Sequence, residues 1–277
     1  MIITFKLDKD LGVRIRTNCL VNNKGKSSIT SKDCDFVKRV FLFLLLLSFV
    51  VSTNVFAQQK VPILVYHSIN EFTGHGLKGL YVTPENFEKQ MVYLKNQGFT
   101  LLTFEHWKDR KKVNKPIFIT FDDGYKNNLN AYSTFQKLQN QNFQPTATIF
   151  VIADFVGRPN RLSAVELKKL ASSGFFSIQS HTATHPDLTK TTNYEYEFKA
   201  SKEKIEQMTG KAVIALAYPY GKFNEKVLDV VKKYYQFGLT DSTLIHPEMN
   251  DENKNYLLPR QYIYYSTTLE EFARIVN

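Results

Sequence analysis

The sequence predicts an α/β fold built as a single (β/α) barrel, irregular or incomplete. Two observations lead there. From residue 58 onward, short apolar runs alternate with helical patterns about seven times, a rhythm that implies a mainly parallel sheet with crossover helices. The residues best suited to chemistry also share one placement: His67, Asp122, Asp123, His181 and the turn at Pro219 each follow an apolar run. In parallel α/β folds the carboxyl ends of the strands carry the active site.

The elements follow in order. Residues 61–69 read as a strand. Thr83-Pro84 forms an N-cap with proline in the first turn, and Phe87, Met91 and Leu94 recur at helical spacing up to Gly98. Residues 99–104 and 116–121 read as strands, and 128–139 as a helix with Tyr132, Phe135 and Leu138 on one face. A strand over 146–152 precedes a helix over 163–172 closed by Gly174. A strand over 175–180, a helix over 195–208 capped by Gly210, and a strand over 213–218 come next. The chain finishes with a helix over 224–235, extended segments over 236–240 and 262–265, and a helix over 268–276.

Residues 1–57 do not belong to this pattern. Lys38-Arg39 precede an apolar run over 40–51, followed by small and polar residues and a Val55-Phe56-Ala57 end, the grammar of a secretory signal peptide. A membrane-spanning helix needs about 20 apolar residues, more than this run supplies, so cleavage after Ala57 is favoured over a retained anchor. The polar stretch before it is long for a signal peptide, which points to a true start nearer Val37. The expected organisation is thus a leader over 1–57 and one domain over 58–277, exported to the periplasm, cell surface or extracellular space.

Both cysteines, Cys19 and Cys34, lie in the leader, which excludes disulfide and thiol chemistry from the domain. The leader also holds nine Lys or Arg against four Asp or Glu, +5 of the formal +10. The remaining charge is spread without a basic run or a basic-aromatic module, so a nucleic-acid partner is not expected. A mildly cationic domain suits association with an acidic envelope surface or glycan.

Asp122-Asp123 end an apolar strand and are followed by Gly124. Adjacent carboxylates there are costly to desolvate unless a cation or donors compensate, although Asp and Gly are also common in plain turns. His181 and His185, at i and i+4 after another strand, fall on one side of a helical turn or tight loop, a spacing that suits a divalent metal. With Asp123 they would form a His-His-Asp set that leaves coordination positions open, as catalytic sites do. Tyr218-Pro219-Tyr220-Gly221 is a rigid turn at a further strand end, whose Tyr220 amide could serve an oxyanion. His67 ends the first strand of the domain; a lone His on an apolar strand is usually a core residue, but the strand-end position favours its facing the same mouth. Trp107 is expected to pack a helix rather than a sugar ring.

The three motifs, Thr120-Phe121-Asp122-Asp123-Gly124, His181-Thr182-Ala183-Thr184-His185 and Pro219-Tyr220-Gly221, resemble in kind and order those of the NodB-homology polysaccharide deacetylases, carbohydrate esterase family 4. The likeness covers most of 61–277. It implies a distorted (β/α) barrel and a metal-dependent hydrolase that removes acetyl groups from N-acetylated polysaccharide. By the same resemblance Asp122 is the catalytic base, Asp123, His181 and His185 hold a divalent metal, most simply Zn²⁺, and the Tyr220 amide faces the oxyanion. Two departures stand out. Leu216-Ala217-Tyr218 occupy the stretch where many members carry a base-orienting arginine, and the late Leu-x-His element appears only as Leu244-Ile245-His246 before a polar loop. Both departures fit the branch acting on extracellular poly-β-1,6-N-acetylglucosamine in biofilms, which is similar at Pro62-Ile63-Leu64, Tyr66-His67 and Leu258-Pro259-Arg260. In that branch the Tyr-His histidine is the general acid, which implies His67 here, with His246 the alternative. Arg260 is then expected to replace the missing arginine.

Other readings remain. Peptidoglycan or chitooligosaccharide deacetylation and O-acetyl ester hydrolysis would use the same metal and fold with different rim loops. A catalytically silent envelope glycan-binding domain would be expected to have lost a ligand or Asp122, and none is lost.

Overall fold

The computed structural model describes residues 61–243, 250 and 252–277, and the backbone of 2–8 and 12–18. The chain divides into two compact units, Met1–Gln59 and Lys60–Asn277. In the first, β1 (Ile2–Asp8) and β2 (Gly12–Asn18) pair antiparallel. The apolar run over 40–51, Cys19, Cys34 and residues 244–249 with His246 lie outside the described residues. Among the described residues no helix is long and apolar enough to cross a membrane.

The second unit is an eight-stranded parallel sheet. Its strands are β3 (Ile63–Tyr66), β6 (Thr100–Leu102), β7 (Pro116–Phe121), β8 (Ala147–Val151), β9 (Phe176–Ser180), β10 (Ala215–Ala217), β11 (Phe237–Leu239) and β12 (Gln261–Tyr262). The order is β11-β10-β9-β8-β7-β3-β12, and β6 shares with β8 the edge of β7 opposite β3. The last extended segment joins the two ends. Leu258 bridges to Leu239 of β11, and Gln261 and Tyr262 pair with Leu64 and Val65 of β3. Residues 258–262 therefore close the sheet into a distorted barrel, and Arg260 sits in that seam.

The strands read as nearly continuous apolar runs because they are buried on both faces. Side chains alternate across a strand, so every second residue joins a different core. Leu64 and Tyr66, Ile117 and Ile119, and Ile149 and Val151 face outward to the helices. Ile63, Phe118, Phe150, Ala215, Ala217, Phe237, Leu239 and Leu258 fill the barrel.

The helices are α1 (Pro84–Asn96), α2 (Leu129–Leu138), α3 (Ala164–Ser172), α4 (Ser201–Thr209), α5 (Glu225–Tyr234) and α6 (Leu269–Val276). Their starts are written locally. Thr83 accepts from the Asn86 amide ahead of Pro84, Asn224 accepts from Val227, and Ser163/Glu166 and Thr268/Glu271 form capping boxes.

Four segments differ from the sequence reading. The first strand breaks at His67, and β4 (Ser68–Ile69) pairs instead with β5 (Tyr81–Val82). Strand β6 stops at Leu102, because Phe104 opens a 3-10 segment, Phe104–Lys111, that packs against the barrel interior. Trp107 packs there too, against Phe118 and Phe237. The helix expected from 195 begins as a π-helical turn, Glu195–Ala200, and the final extended segment is paired at Gln261–Tyr262 rather than over 262–265.

Candidate active site

The interior rows end in polar residues just past the strands. The row Phe118–Thr120 reaches Asp122, and Ile63–Val65 reaches His67. Likewise Ser177–Gln179 reaches His181, and Phe237–Leu239 reaches Asp241. The seam row runs Leu258, Arg260, Tyr262. Period-two alternation thus aims five strands' worth of polar groups into one mouth.

Asp122 and Arg260 are both buried there. The guanidinium grips the carboxylate with two 2.7 Å bonds, Nη1 to Oδ1 and Nη2 to Oδ2. Nη1 also donates to Thr120 Oγ1, Nη2 to Asp241 Oδ1 and Nε to the Thr240 carbonyl. All five donors of the fork are used, the condition under which a buried ion pair tolerates its desolvation. Burial pushes the Asp122 carboxyl up, but the Arg260 charge, the His181 imidazole and the Arg260 hydrogen bonds outweigh it, holding it well below the usual carboxylate range. Arg260 in turn lies 5.7 Å over the Phe150 ring, so the charged layer rests on an aromatic one.

Asp123, His181 and His185 offer ligand atoms that all lie within 4.8 Å of one another. Asp123 Oδ1 is 3.7 Å from Nε2 of each histidine. One ion with bonds of about 2.0–2.2 Å to each can bridge such spacings, and one carboxylate with two imidazoles is a donor set that suits zinc. His181 Nδ1 lies 2.8 Å from the Ala217 carbonyl, which only accepts, so Nδ1 carries the proton and Nε2 is free as a ligand. Burial and then the His181 imidazole bring His185 down to about 4, leaving it neutral at pH 7, as a ligand must be.

The two histidines sit on a tight loop rather than a helical turn. Thr182 (φ 68°) and His185 (φ 63°) are left-handed, as are Asp123 (φ 70°) and Tyr220 (φ 60°). These four sit at the mouth, with Lys115 and Asn160 the other non-glycine cases among the described residues. Such conformers cost about 1–2 kcal/mol per residue, so the site concentrates backbone strain. The motif glycines have a direct reason. A Cβ on Gly124 would fall 2.9 Å from Val151 Cγ1, and one on Gly221 2.9 Å from the Asp241 backbone nitrogen, both at positive φ.

Tyr220 is 60% exposed and stands edge-on to His185 with centroids 4.7 Å apart. The amides of Gly221 and Lys222 turn back to the Tyr218 and Pro219 carbonyls, while that of Tyr220 has no acceptor among the described residues. His67 stacks on Tyr262 at 5.7 Å, and the Tyr262 hydroxyl donates to Asp241. Burial lowers His67, opposed by the charges of Asp122 and Asp123.

The structure therefore brings Asp122, Asp123, His181, His185, His67, Tyr220 and Arg260 to one mouth. Asp241, Tyr262, Arg161 and Glu197 are added to what sequence reasoning named. Arg161 donates to the Asp123 carbonyl at 2.9 Å, and Glu197 binds the histidine loop. Asp241 was findable as the next interior position after Leu239. Glu197 was findable as a carboxylate in the Tyr194–Phe198–Ser201–Ile205 stripe that faces the core. Arg161 carried no sequence signal.

The chain is similar to known proteins in both sequence and fold. Residues 109–236 match the polysaccharide deacetylase family profile. The crystal structure of the polysaccharide deacetylase BC0361 of Bacillus cereus is 52% identical, with a TM-score of 0.76 over 79% of this chain and 69% of that one. YxkH of Bacillus subtilis, named for the same family, is 34% identical over 190 residues, 65% of this chain and 64% of YxkH. The chain thus spans slightly less than two thirds of that relative. The poly-β-1,6-N-acetyl-D-glucosamine N-deacetylase of Staphylococcus aureus is 28% identical over 207 residues, 66% of this chain and 68% of the enzyme. With the three motifs meeting in one mouth of a parallel barrel, the chain belongs to the polysaccharide deacetylase family.

Proposed function

We propose that the protein is an exported, divalent-metal hydrolase that removes N-acetyl groups from a polysaccharide containing N-acetylglucosamine, in the first instance poly-β-1,6-N-acetylglucosamine. One observation carries this reading: a three-residue donor set, Asp123, His181 and His185, next to a carboxylate, Asp122, that a buried arginine holds ionised. The substrate assignment draws on the Staphylococcus aureus relative and on the Leu258-Pro259-Arg260 seam.

A bound metal would polarise the acetamide carbonyl and acidify water. Asp122 takes the proton of the attacking water. The Arg260 fork fixes both of its oxygens in direction, at some cost in basicity, so Asp122 acts as an aimed acceptor rather than a strong one. The Tyr220 amide, at the rim beside His185, donates to the developing oxyanion. His67, held against Tyr262, hands a proton to the leaving amine from its imidazolium form, which the Asp122 and Asp123 charges favour against burial.

The test is acetate release from poly-β-1,6-N-acetylglucosamine, chitopentaose and peptidoglycan, metal-free and then zinc-supplemented, with Asp122→Asn as control. Zinc-dependent release lost in the variant supports the chemistry, and the preferred glycan names the substrate. Release from none of them, with metal bound, overturns the N-deacetylase reading in favour of an O-acetyl substrate or a silent glycan-binding domain. Export is checked by N-terminal sequencing of the mature protein, with Gln58 as the expected first residue.

A further inference from the structure

We propose that Glu197 is a positioning residue of the metal centre, a carboxylate that acts by holding the His181–His185 loop in its ligand-bearing shape. The inference rests on the reading of Asp123, His181 and His185 as metal ligands.

The loop has five consecutive amides, and each is committed. His181 N–H donates to the Val151 carbonyl, Thr182 N–H to Ser180 Oγ and His185 N–H to Thr182 Oγ1. The middle two both go to one atom: Ala183 N–H and Thr184 N–H donate to Glu197 Oε2 at 3.0 and 2.9 Å. The Thr184 hydroxyl donates to Oε1 at 2.6 Å. Successive amides turned to one side form a concavity that favours an anion, and here a side chain of the protein fills it. The segment between the two histidines is therefore wrapped on a carboxylate that is itself buried.

The opposite side of the loop is tied as well. Ala153 and Asp154 amides donate to the Thr182 and Ala183 carbonyls, so the loop is held from both sides. The two holders are joined to each other, because the Tyr196 hydroxyl donates to Asp154 Oδ2 at 2.6 Å. Glu197 lies in the π-helical turn Glu195–Ala200, and Ser201 Oγ donates back to its carbonyl. Single π turns inside α-helices recur at functional sites.

This matters because the loop is strained at Thr182 and at the ligand His185. A strained loop keeps its shape only while its surroundings over-determine it. Without the carboxylate, the Ala183 and Thr184 amides are free to seek other acceptors, and His185 is free to leave its left-handed conformation. The two imidazoles would then no longer face Asp123 together.

The experiment is zinc affinity, measured by competition against Co²⁺ whose absorption spectrum reports the ligand set, alongside the melting temperature of the metal-free protein. Glu197→Ala is expected to weaken zinc binding by about 10- to 100-fold, the usual effect of losing a partner outside the ligands. It should also alter the Co²⁺ spectrum at saturation. Glu197→Gln, which keeps one acceptor oxygen for the two amides, should restore most of that affinity. Thr184→Val removes only the hydroxyl bond, so it keeps the inference testable if Glu197→Ala fails to fold. It should shift affinity in the same direction by a smaller factor. A folded Glu197→Ala or Thr184→Val protein with parental zinc affinity and Co²⁺ spectrum, whatever its melting temperature, overturns the proposal. His181→Ala separates the two readings: if the parent binds zinc no better than His181→Ala, the metal site itself is wrong and the inference falls with it.

Discussion

The two ends of the barrel interior are built from the same rows to opposite purposes. Toward the amino ends of the strands the rows carry Phe118 and Phe237, packed with Phe104 and Trp107. Toward the carboxyl ends they carry Asp122, Asp241 and Arg260, knitted by directional bonds with no apolar contribution needed. The aromatic end tolerates adjustment, because ring contacts are many and individually weak. The charged end does not, since an unpaired buried charge costs far more than a lost contact. Stability and chemistry are therefore separable by position along a strand.

Arg260→Ala is the sharpest way to break that separation. It leaves Asp122 buried without its partner, which is expected to destabilise the fold by about 3–5 kcal/mol. It also frees the carboxylate to rotate, and misplacement on that scale costs about 100-fold in turnover. Zinc content should remain near the parent's, because Arg260 touches none of Asp123, His181 or His185. Arg260→Lys should recover little, since an ammonium cannot reproduce the two-pronged grip. Unchanged turnover per folded molecule in Arg260→Ala would remove the arginine from the mechanism.

Phe104→Ala makes the complementary break. The side chain is almost wholly buried among Phe118, Phe150 and Phe237, and its loss should cost about 3–5 kcal/mol. Below its melting temperature the variant should bind zinc and turn over as the parent does. Denaturant melts paired with acetate-release assays read both quantities, and a large fall in turnover would show that the two ends are coupled after all.

Acidification sharpens the contrast further. Asp122 is depressed in the folded state, so its contribution is fully present above the ordinary unfolded value of about 3.9 and is lost as pH falls through the lower folded value. The metal-free parent should therefore show no loss of stability from this pair between pH 7 and 5, and a progressive loss below about pH 4. In Arg260→Ala burial acts on Asp122 without its chief opponent, so the carboxyl rises and its protonation moves to higher pH. Urea melts at a series of pH values test the sign, and identical profiles for the two proteins would contradict it.

Much of this was legible in the sequence, for a physical reason. A strand buried on both faces is a run of apolar residues, and the first polar residue after the run continues one of its two rows. That is why Asp122, His181 and His67 fall at a mouth on sequence grounds alone. Strand-helix alternation and caps such as Thr83 and Asn224 are equally local. What was not legible depends on closure. Arg260 was expected beside Asp122 through the family resemblance alone, because the contact, between residues 138 positions apart, exists only where Leu258 and Tyr262 pair with β11 and β3 across the seam. Glu197 is legible as a carboxylate on a core-facing helix stripe, but not its role, since its partners are loop amides, which carry no residue signature. The left-handed conformation at Thr182 is also invisible in residue type, as a β-branched side chain disfavours it.

The smallest expected effect concerns that strain. Lys115 is left-handed at φ 41°, just before Pro116 at the amino end of β7, and Thr182 is left-handed at the mouth. Glycine relieves about 1–2 kcal/mol of strain and returns roughly 0.5–1 kcal/mol as lost chain entropy. Lys115→Gly should therefore gain up to about 1 kcal/mol of stability, less the contact of its ammonium with the Phe99 ring at 5.3 Å. Thr182→Gly should gain nothing, because Thr182 Oγ1 accepts the amide of His185 and that bond goes with the side chain. Thermal melts of the two metal-free variants compare strain that serves no ligand with strain that holds one. A net gain in Thr182→Gly as large as in Lys115→Gly would mean that the Oγ1 bond does not stabilise the loop, and that the two ends of the barrel store strain on the same terms.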